Sequence, residues 1–243
     1  MAVDWMLDLG HSRIKWARST DNGLLDSTGN CPIEYPAPLE TLLLESAGDR
    51  LWASAQSRPE AINWLAHLAQ QRSLELNIIA TGHANLPVSP AYAGLGSDRW
   101  LAMQWPWQQT GSALCVIDCG TALTVDVVDD EGIHRGGWIM AGLSTSRESL
   151  LGKAPGLPRR LGPMEGNAGP ALDSAQAISA GTLLQMAGAI ERAVAGASNE
   201  LGRDPAVWVT GGDAEAIMPM TRLPATLDEH LVLRGLAMTA KKC

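Results

Sequence analysis

Two parts of the chain show the same order of apolar and polar positions. The stretch Val3–Gly10 is an apolar run that ends in Asp-x-Gly, and Arg13–Ala17 alternates after it as a return strand. Ala113–Ile117 runs in the same way into Asp118-Cys119-Gly120-Thr121, and Leu123–Val128 alternates after it. Such alternation is typical of half-buried strands. Because the two aspartates are 110 positions apart in a chain of 243 residues, the pattern predicts two similar halves.

Shorter apolar runs lie between the two hairpins. Leu51–Ala53 and Leu76–Ala80 are predicted as strands, and Ser57-Arg58-Pro59-Glu60 has the order of a capping box that opens a helix between them. Cys31–Pro38, which is rich in Pro and Glu, is predicted as a loop. Strands that alternate with helical segments indicate an α/β fold.

The second half continues with the same kinds of element. A turn at 130–132 leads into a predicted strand, Ile133–Ile139, where Gly136-Gly137 indicates a bulge or a close backbone approach. Ser174–Ala195 has apolar positions at helical spacing and is predicted as the longest helix. Ala206–Val209 is predicted as a buried strand that runs into Thr210-Gly211-Gly212-Asp213 and a short helix. The predicted domains are 1–111 and 112–243.

Composition and charge argue against several classes of protein. Hydrophobic residues make up 46% of the chain and charged residues 18%, which is typical of a soluble globular protein. The formal net charge of −8 argues against a nucleic-acid partner, because such binding rests on phosphate neutralisation by Lys and Arg. We expect a cytoplasmic protein with no membrane partner, since no apolar run approaches the roughly 20 residues of a membrane span. Cys31, Cys115, Cys119 and Cys243 form no C-x-x-C pair, which favours buried or idle thiols over a zinc site.

The two hairpins carry side chains suited to phosphoryl transfer from ATP. That reaction needs donors around the phosphates, carboxylates that hold magnesium directly or through water, and a group that orients the attacking hydroxyl. In an Asp-x-Gly-hydroxyl hairpin, the Gly lets the backbone approach a phosphate, the hydroxyl donates to it and the Asp binds metal charge. One copy alone is more often an ordinary turn. Two copies after equivalent strands favour phosphate binding.

Two further positions have more than one interpretation. Lys15, on the first return strand, could reach a phosphate, neutralise Asp8 or be an exposed strand lysine. Gly211-Gly212 could make room for an adenine or a ribose, or form only a strand-to-helix turn. The residues alone leave these alternatives open.

Five segments, in order, resemble the motifs of type III pantothenate kinases. They are 8–15 (Asp-Leu-Gly-His-Ser-Arg-Ile-Lys), 95–100 (Leu-Gly-Ser-Asp-Arg-Trp), 118–126 (Asp-Cys-Gly-Thr-Ala-Leu-Thr-Val-Asp), 136–143 (Gly-Gly-Trp-Ile-Met-Ala-Gly-Leu) and 210–214 (Thr-Gly-Gly-Asp-Ala). The match spans nearly the whole chain, and the order and spacing of several motifs are more specific than any one of them. The family also includes proteins similar to the Bvg accessory factor.

The resemblance implies a fold, a reaction and a set of cofactors. The fold would be α/β, of the duplicated actin-like (ribonuclease H-like) type, with two similar domains and a central cleft. The reaction would be ATP-dependent phosphorylation of the terminal hydroxyl of pantothenate to 4'-phosphopantothenate, the first step of coenzyme A biosynthesis. The cofactors would be ATP, Mg²⁺ and a monovalent cation, K⁺ or NH₄⁺, and the assembly would be a homodimer.

Positions that match the family's motifs carry over its functional roles. Asp98 would be the catalytic base that accepts the hydroxyl proton, and Asp118 would hold the monovalent cation. The residues implied in ATP binding are Asp8, Gly10, His11, Ser12, Arg13, Lys15 and Thr121. The residues implied in pantothenate binding are Tyr92, Gly96, Ser97, Asp98, Arg99 and Ser174.

Three of these residues also have a purely structural interpretation. Asp98 could be an acid in the first turn of a helix with Ser97 as the N-cap, where it would interact favourably with the helix dipole. Arg99 could pair with a surface acid instead of the pantothenate carboxylate. Ser174 could itself be a helix N-cap.

The chain departs from the family's usual motifs at a few positions. His11 stands where Asn is usual, Ser12 where Thr is usual and Ala141 where Pro is usual, and the segment from Tyr92 to Leu95 is shorter. A neutral imidazole donates from only one nitrogen, so His11 is expected to slow the reaction or weaken ATP binding. Two alternatives therefore remain: a catalytically degenerate protein with a regulatory role, and a kinase of another small hydroxylated acid or sugar, against which the Gly-Ser-Asp-Arg segment argues.

Overall fold

A computed structural model describes residues 4–19, 25–44, 50–55, 59–83, 85–158, 161 and 169–242 of the chain. Contacts between residues divide the chain into two compact units. The first contains the described residues up to Gly111, together with Gly132–His134 and those from His230 onward, and the second contains Ser112–Glu131 and Arg135–Glu229. Domains at 1–111 and 112–243 remain a prediction, and the units differ from them mainly in where the C-terminal segment belongs.

The described residues form strands and helices that alternate along much of the chain. The strands are β1 (Asp4–Leu9), β2 (Arg13–Ser19), β3 (Leu25–Pro32), β4 (Arg50–Ser54), β5 (Glu75–Ile78), β6 (Leu114–Cys119), β7 (Ala122–Val128), β8 (His134–Ala141), β9 (Ala206–Thr210) and β10 (Thr226–Leu227). The helices are α1 (Ala37–Leu44), α2 (Pro59–Arg72), α3 (Ser97–Thr110), α4 (Leu143–Lys153), α5 (Ser174–Leu201), α6 (Ala214–Ile217) and α7 (Leu231–Ala240), with a 3-10 turn at Met218–Met220. None of these helices is long and apolar enough to cross a membrane.

Two five-stranded sheets have the same topology. The first has the order β3-β2-β1-β4-β5 and the second the order β10-β9-β6-β7-β8, so β1 to β5 correspond to β6 to β10. In each sheet the central strand pairs antiparallel with the next strand of the chain and parallel with the fourth. Asp8 lies opposite Lys15 in β2 and Ser54 in β4, and Asp118 lies opposite Thr124 in β7 and Thr210 in β9. The predicted duplication, with a hairpin at the start of each half, is confirmed.

Helix α3 is held against α7 within the first unit. Gly235 of α7 lies so close to α3 that a Cβ atom at this position would be 2.3 Å from the carbonyl oxygen of Leu101. The indole Nε1 of the fully buried Trp100 donates to the carbonyl oxygen of Val88 at 2.8 Å. Because α3 is fixed on both sides, the residues of its first turn have a defined position.

The structure corrects two predicted boundaries. Cys31–Pro38 is not a loop throughout, because Cys31 and Pro32 end β3, which pairs with β2, and Ala37 begins α1. The helix predicted at Ser174–Ala195 continues to Leu201, where Gly202 with φ 69° ends it in the left-handed conformation. Of the predicted capping box, Ser57 and Arg58 lie outside the described residues, and α2 begins at Pro59.

Three of the four cysteines lie in the described residues. Cys31, Cys115 and Cys119 are buried and free, as their spacing in the sequence predicts. Burial raises the pKa of Cys115 and of Cys119 to about 12, and nearby carboxylates add to both shifts. These thiols are therefore protonated at neutral pH.

Candidate active site

The first hairpin presents its turn to solvent at the end of β1. His11, Ser12 and Arg13 are exposed, and Asp8 is half-buried. A Cβ atom at Gly10 would be 3.0 Å from the carbonyl oxygen of Arg13, so the turn is tight at this position. The guanidinium of Arg13 donates from Nε to Oδ1 of Asn30 at 2.8 Å and also from Nη2, which ties this side chain to β3.

A buried hydrogen bond connects this sheet to the start of α3. Ser54, the β4 residue beside Asp8, has its Oγ 2.9 Å from Oγ of Ser97, and both side chains are buried. The backbone of Gly96, not the side chain of Ser97, precedes the helix, so the interpretation of Ser97 as the N-cap is wrong. The hydroxyl of Ser97 is used for the bond to Ser54. Because Ser54 lies on β4, which pairs with β1, this bond holds the first turn of α3 next to the strand that carries Asp8.

A backbone hydrogen bond holds the carboxylate of Asp98 in the first turn of α3. Its side chain is exposed, and its Oδ1 accepts a hydrogen bond from the backbone N–H of Arg99 at 2.8 Å. A Cβ atom at Gly96 would be 2.5 Å from the same oxygen. The carboxylate therefore folds back over Gly96, and a side chain at 96 would displace it from this position. The sequence-based interpretation of Asp98 as an acid in a first helical turn is confirmed, and it does not conflict with a catalytic role.

The side chains of Tyr92 and Arg99 contact each other beside this turn. Nη1 of Arg99 donates to the hydroxyl oxygen of Tyr92 at 3.2 Å, and the Tyr92 side chain is exposed. The ring of Tyr92 also lies 6.1 Å from that of His134, at a tilt of 41°. The structure thus brings together Tyr92, Gly96, Asp98 and Arg99, even though the segment 92–95 is shorter than is usual in the family.

A buried amide fixes the loop that precedes α3. Oε1 of Gln104 accepts from the backbone N–H of Val88 at 2.9 Å, and its Nε2 donates to the carbonyl oxygen of Trp100 at 2.9 Å. Ser89 forms a parallel bridge with Ile133. Sequence reasoning did not identify these residues, because a Gln within a helix gives no signal until its partners are known.

The second hairpin lies against the turn that follows β9. Gly211 has φ 97°, and a Cβ atom there would be 2.5 Å from Oδ1 of Asp118 and 2.5 Å from the backbone nitrogen of Cys119. The backbone N–H of Asp213 donates to the carbonyl oxygen of Cys119 at 3.0 Å. Glycine is required at 211 both for the positive φ and for this close approach. The turn therefore brings backbone directly over the carboxylate of Asp118.

Thr121 is tied to the start of α4. Its carbonyl oxygen accepts from the backbone N–H of Gly142 at 3.0 Å and from the hydroxyl of Thr145 at 2.7 Å. A Cβ atom at Gly142 would be 2.0 Å from the carbonyl oxygen of Gly120. The side chain of Thr121 is exposed. This arrangement leaves the Thr121 hydroxyl on the surface while its backbone is held by α4.

Ser174 is the first residue of α5 and is exposed. Asp173 is the N-cap, since its carboxylate accepts from the backbone N–H of Gln176 at 2.9 Å. The interpretation of Ser174 as the N-cap is therefore wrong. Its hydroxyl is not needed to cap the helix.

An apolar cavity lies beside the turn at 210–213. Val209 and Ala214, which flank the turn, line it together with Glu215, Met218, Leu223 and Leu227, among others, and its volume is about 290 Å³. Such a lining suits a flat apolar ring more than a charged group. Among the described residues, no three His, Cys, Asp or Glu side chains are grouped as a metal site.

Asp213 and Arg147 are two charged residues of the second unit whose charges influence each other, which sequence reasoning missed. Burial raises the pKa of Asp213, and the positive charge of Arg147 opposes that shift. Burial lowers the pKa of Arg147, and the negative charge of Asp213 opposes that shift. The guanidinium stays protonated at neutral pH.

Solved structures identify the fold. A Campylobacter jejuni protein described as a conserved Baf family transcriptional activator has a TM-score of 0.64 at 19% identity, and the match covers 98% of this chain and 97% of that one. A ROK family glucokinase from Streptomyces griseus, solved with glucose and AMPPNP, has a TM-score of 0.52 at 11% identity, and the match covers 99% of this chain and 100% of that one. The chain has the duplicated actin-like fold that defines this class of proteins.

Sequence comparisons identify the family within this class. A model of type III pantothenate kinases matches residues 5–196. A type III pantothenate kinase of Stenotrophomonas maltophilia (strain K279a) is 32% identical over 252 residues, which cover 98% of this chain and 97% of that protein. This chain belongs to the type III pantothenate kinase family.

Proposed function

We propose that this chain transfers the γ-phosphoryl group of ATP to the terminal hydroxyl of pantothenate and so catalyses the first step of coenzyme A biosynthesis. Membership of the family supports the reaction. The observation that carries the proposal for this chain is the arrangement at the start of α3, where Gly96, Asp98, Arg99 and Tyr92 lie together. The Ser54–Ser97 hydrogen bond ties this turn to the strand beside Asp8.

The proposed role of Asp98 is to orient the substrate hydroxyl and accept its proton. A carboxylate is a weak base at neutral pH, so the proton would move late, as the bond to phosphorus forms. The hydrogen bond from the Arg99 N–H holds the carboxylate in place. Arg99 and Tyr92 offer a guanidinium and a phenol beside it, and a guanidinium can bind the pantothenate carboxylate through two hydrogen bonds. The exposed hydroxyl of Ser174 is also proposed to bind pantothenate.

The two hairpins would bind the phosphates of ATP. Asp8, Gly10, His11, Ser12 and Lys15 supply a tight exposed turn, two donors and a cation in the first unit, and Thr121 supplies an exposed hydroxyl in the second. Arg13 would act mainly through its backbone, because its guanidinium donates to Asn30. The cavity beside the turn at 210–213 would accept the adenine or the ribose.

Asp118 is the proposed ligand of the monovalent cation. The turn at Gly211 brings backbone within van der Waals distance of its carboxylate, and K⁺ is bound by carboxylate and carbonyl oxygens. Mg²⁺ is usually held by one or two carboxylates plus substrate phosphates and waters. Asp8 fits that pattern, and the metal would supply charge neutralisation for the transferred phosphoryl group.

A homodimer is the proposed assembly. In the second unit, Trp138 and Ile139 of the edge strand β8 are exposed, as are Leu150 of α4 and Leu184 of α5. An unpaired edge strand with exposed apolar side chains is a common contact surface between subunits.

The experiment that tests the function is ADP release with pantothenate, ATP and Mg²⁺, with K⁺ present or replaced by Na⁺. We expect pantothenate-dependent turnover that K⁺ stimulates and that Asp98→Asn lowers by about 100-fold or more, the size typical of a lost acid–base group. Asp26→Asn is the matched control, because Asp26 lies on β3 as a half-buried carboxylate that pairs with Arg18 of β2 and is not among the proposed site residues. Folded native protein without pantothenate-dependent turnover would contradict the proposal and favour a regulatory protein.

A further inference from the structure

Arg147 is a charged residue on the core-facing side of α4. It follows Leu143 by four residues, so the two side chains lie on the same face of the helix. Leu143 is fully buried in the core cluster that includes Cys119 and Ala214. Arg147 therefore extends from α4 toward the side of the second unit that contains the second hairpin and the start of α6.

Two nitrogens of this guanidinium have no acceptor. Nε and Nη2 of Arg147 are buried and find no hydrogen-bond partner in the described part of the chain, the carboxylate of Asp213 included. A buried charged donor without a partner is costly, more so than a neutral one. The Arg147 side chain as a whole is half-buried, so its charge is tolerated, but an acceptor that reaches these two nitrogens would be favourable.

The surroundings indicate which acceptor would be favoured. Asp118 and Asp213 place two carboxylates at the turn over the second hairpin, so an anionic ligand there needs a nearby cation. Lys153, the basic residue in the last turn of α4, is exposed, whereas Arg147 is close enough to Asp213 to oppose its pKa shift. Guanidinium groups bind phosphate oxygens through two parallel hydrogen bonds.

We propose that Arg147 turns from its unsatisfied position to donate two hydrogen bonds to a phosphate oxygen of the bound nucleotide, while Asp213 keeps the guanidinium close to the turn beforehand. The proposal rests on the proposed function, since it assigns one more binding residue to the same nucleotide. It goes beyond the motifs that define the family, because Arg147 follows the Gly-Gly-x-Ile motif and lies in none of the matched segments.

The test compares Arg147→Gln and Arg147→Met with the native chain and with Arg203→Met. Arg203 is a matched control because it also lies in the second unit but pairs with Asp130 at an exposed position. Three quantities are measured: the dissociation constant of ATP by calorimetry, the KM for pantothenate, and the melting temperature without ligand. We expect both Arg147 variants to bind ATP about 10- to 100-fold more weakly, the effect of losing a hydrogen bond to a charged group. The KM for pantothenate should stay within about twofold, since Arg147 is not among the residues proposed to bind that substrate.

The melting temperature separates a binding role from a structural one. Removal of a half-buried guanidinium, two of whose nitrogens have no acceptor, should leave the melting temperature of the unliganded protein unchanged or raise it. A structural role predicts a lower melting temperature and a similar loss of affinity for both substrates, and that result would overturn the proposal. ATP affinity unchanged in Arg147→Met would also overturn it. If the native chain binds ATP in an Arg147-dependent way without consuming pantothenate, the proposed function fails and this inference stands.

Discussion

Gly142 offers a sharp test of how the second hairpin is held. Its φ of −73° and ψ of −178° are open to any residue, so replacement by Ala brings no backbone strain. The added Cβ atom would instead lie 2.0 Å from the carbonyl oxygen of Gly120 and 2.7 Å from that of Thr121. The helix and the hairpin must therefore move apart by about 1 Å or more, since side-chain carbons do not approach oxygens closer than about 3 Å.

This movement destabilises the folded protein in two ways. It breaks or lengthens the two hydrogen bonds to the Thr121 carbonyl oxygen, from Gly142 and from Thr145, worth about 1 kcal/mol each. Strain in a packed region adds about 1–3 kcal/mol. Gly142→Ala should thus lower the free energy of unfolding by about 2–5 kcal/mol. For a chain of this size, that lowers the melting temperature by roughly 5–15 °C.

The assay is thermal unfolding followed by circular dichroism, with ATP binding by calorimetry in parallel. Gly152→Ala is the control, because Gly152 lies in the same helix with no atom within 4 Å of an added Cβ. That change should stabilise the protein by up to about 1 kcal/mol, the difference in helix propensity. ATP affinity should fall in Gly142→Ala and stay unchanged in Gly152→Ala. If both variants melt at or above the native temperature, the close contact between α4 and the hairpin is not a determinant of the site.

Two further predictions concern packing and thiol chemistry. Gly235→Ala should lower the melting temperature, because the new Cβ would be 2.3 Å from the Leu101 carbonyl oxygen. Gly188→Ala in α5 meets no atom within 4 Å and should raise the melting temperature. Equal shifts in thermal scans of the two variants would contradict this prediction. Cys119, whose pKa burial raises to about 12, should be a thiolate in only about one molecule in a thousand or fewer at pH 8.5. It should therefore resist iodoacetamide in the folded protein and react in urea, and labelling of native Cys119 detected by mass spectrometry would show that it is not buried.

The hairpins and the motif order were predictable from the sequence, because alternation marks a half-buried strand and both hairpins repeat it. Strand β3 was missed, because its sequence Leu-Asp-Ser-Thr-Gly-Asn-Cys-Pro has neither alternation nor high strand propensity. Its conformation follows from pairing with β2, with a register shift between Trp16 and Arg18. Helix α7 was also not anticipated, since its role depends on a glycine contact with α3 that only the folded chain reveals.

Some of the site residues were likewise predictable from the sequence, and others were not. Motif spacing identified Asp98 and Arg99, but their arrangement depends on partners that have no sequence signal, such as Ser54, which reaches Ser97 across 43 positions. Arg147 gives no signal either, because an arginine four residues after a leucine is usually a solvated helix residue. Its unsatisfied nitrogens appear only when the packing of α4 is known.

The duplication gives the two units equivalent frames, and the contacts added to each frame differ. In both central strands the penultimate residue is an aspartate whose parallel neighbour carries a hydroxyl, Ser54 beside Asp8 and Thr210 beside Asp118, so the frames are equivalent. The units differ in the contacts made at and after that neighbour. In the first unit, the Ser54 hydroxyl itself reaches α3 and holds the turn of the proposed catalytic base. In the second, Gly211 instead lets backbone close over Asp118 beside a cavity of a size that suits a nucleotide base. Under the proposed function, the contact made by Ser54 would serve the acceptor substrate and the turn at Gly211 would serve the nucleotide. Substitutions at Ser54 and Gly211 should therefore affect different substrates, although the two residues occupy neighbouring places in equivalent frames.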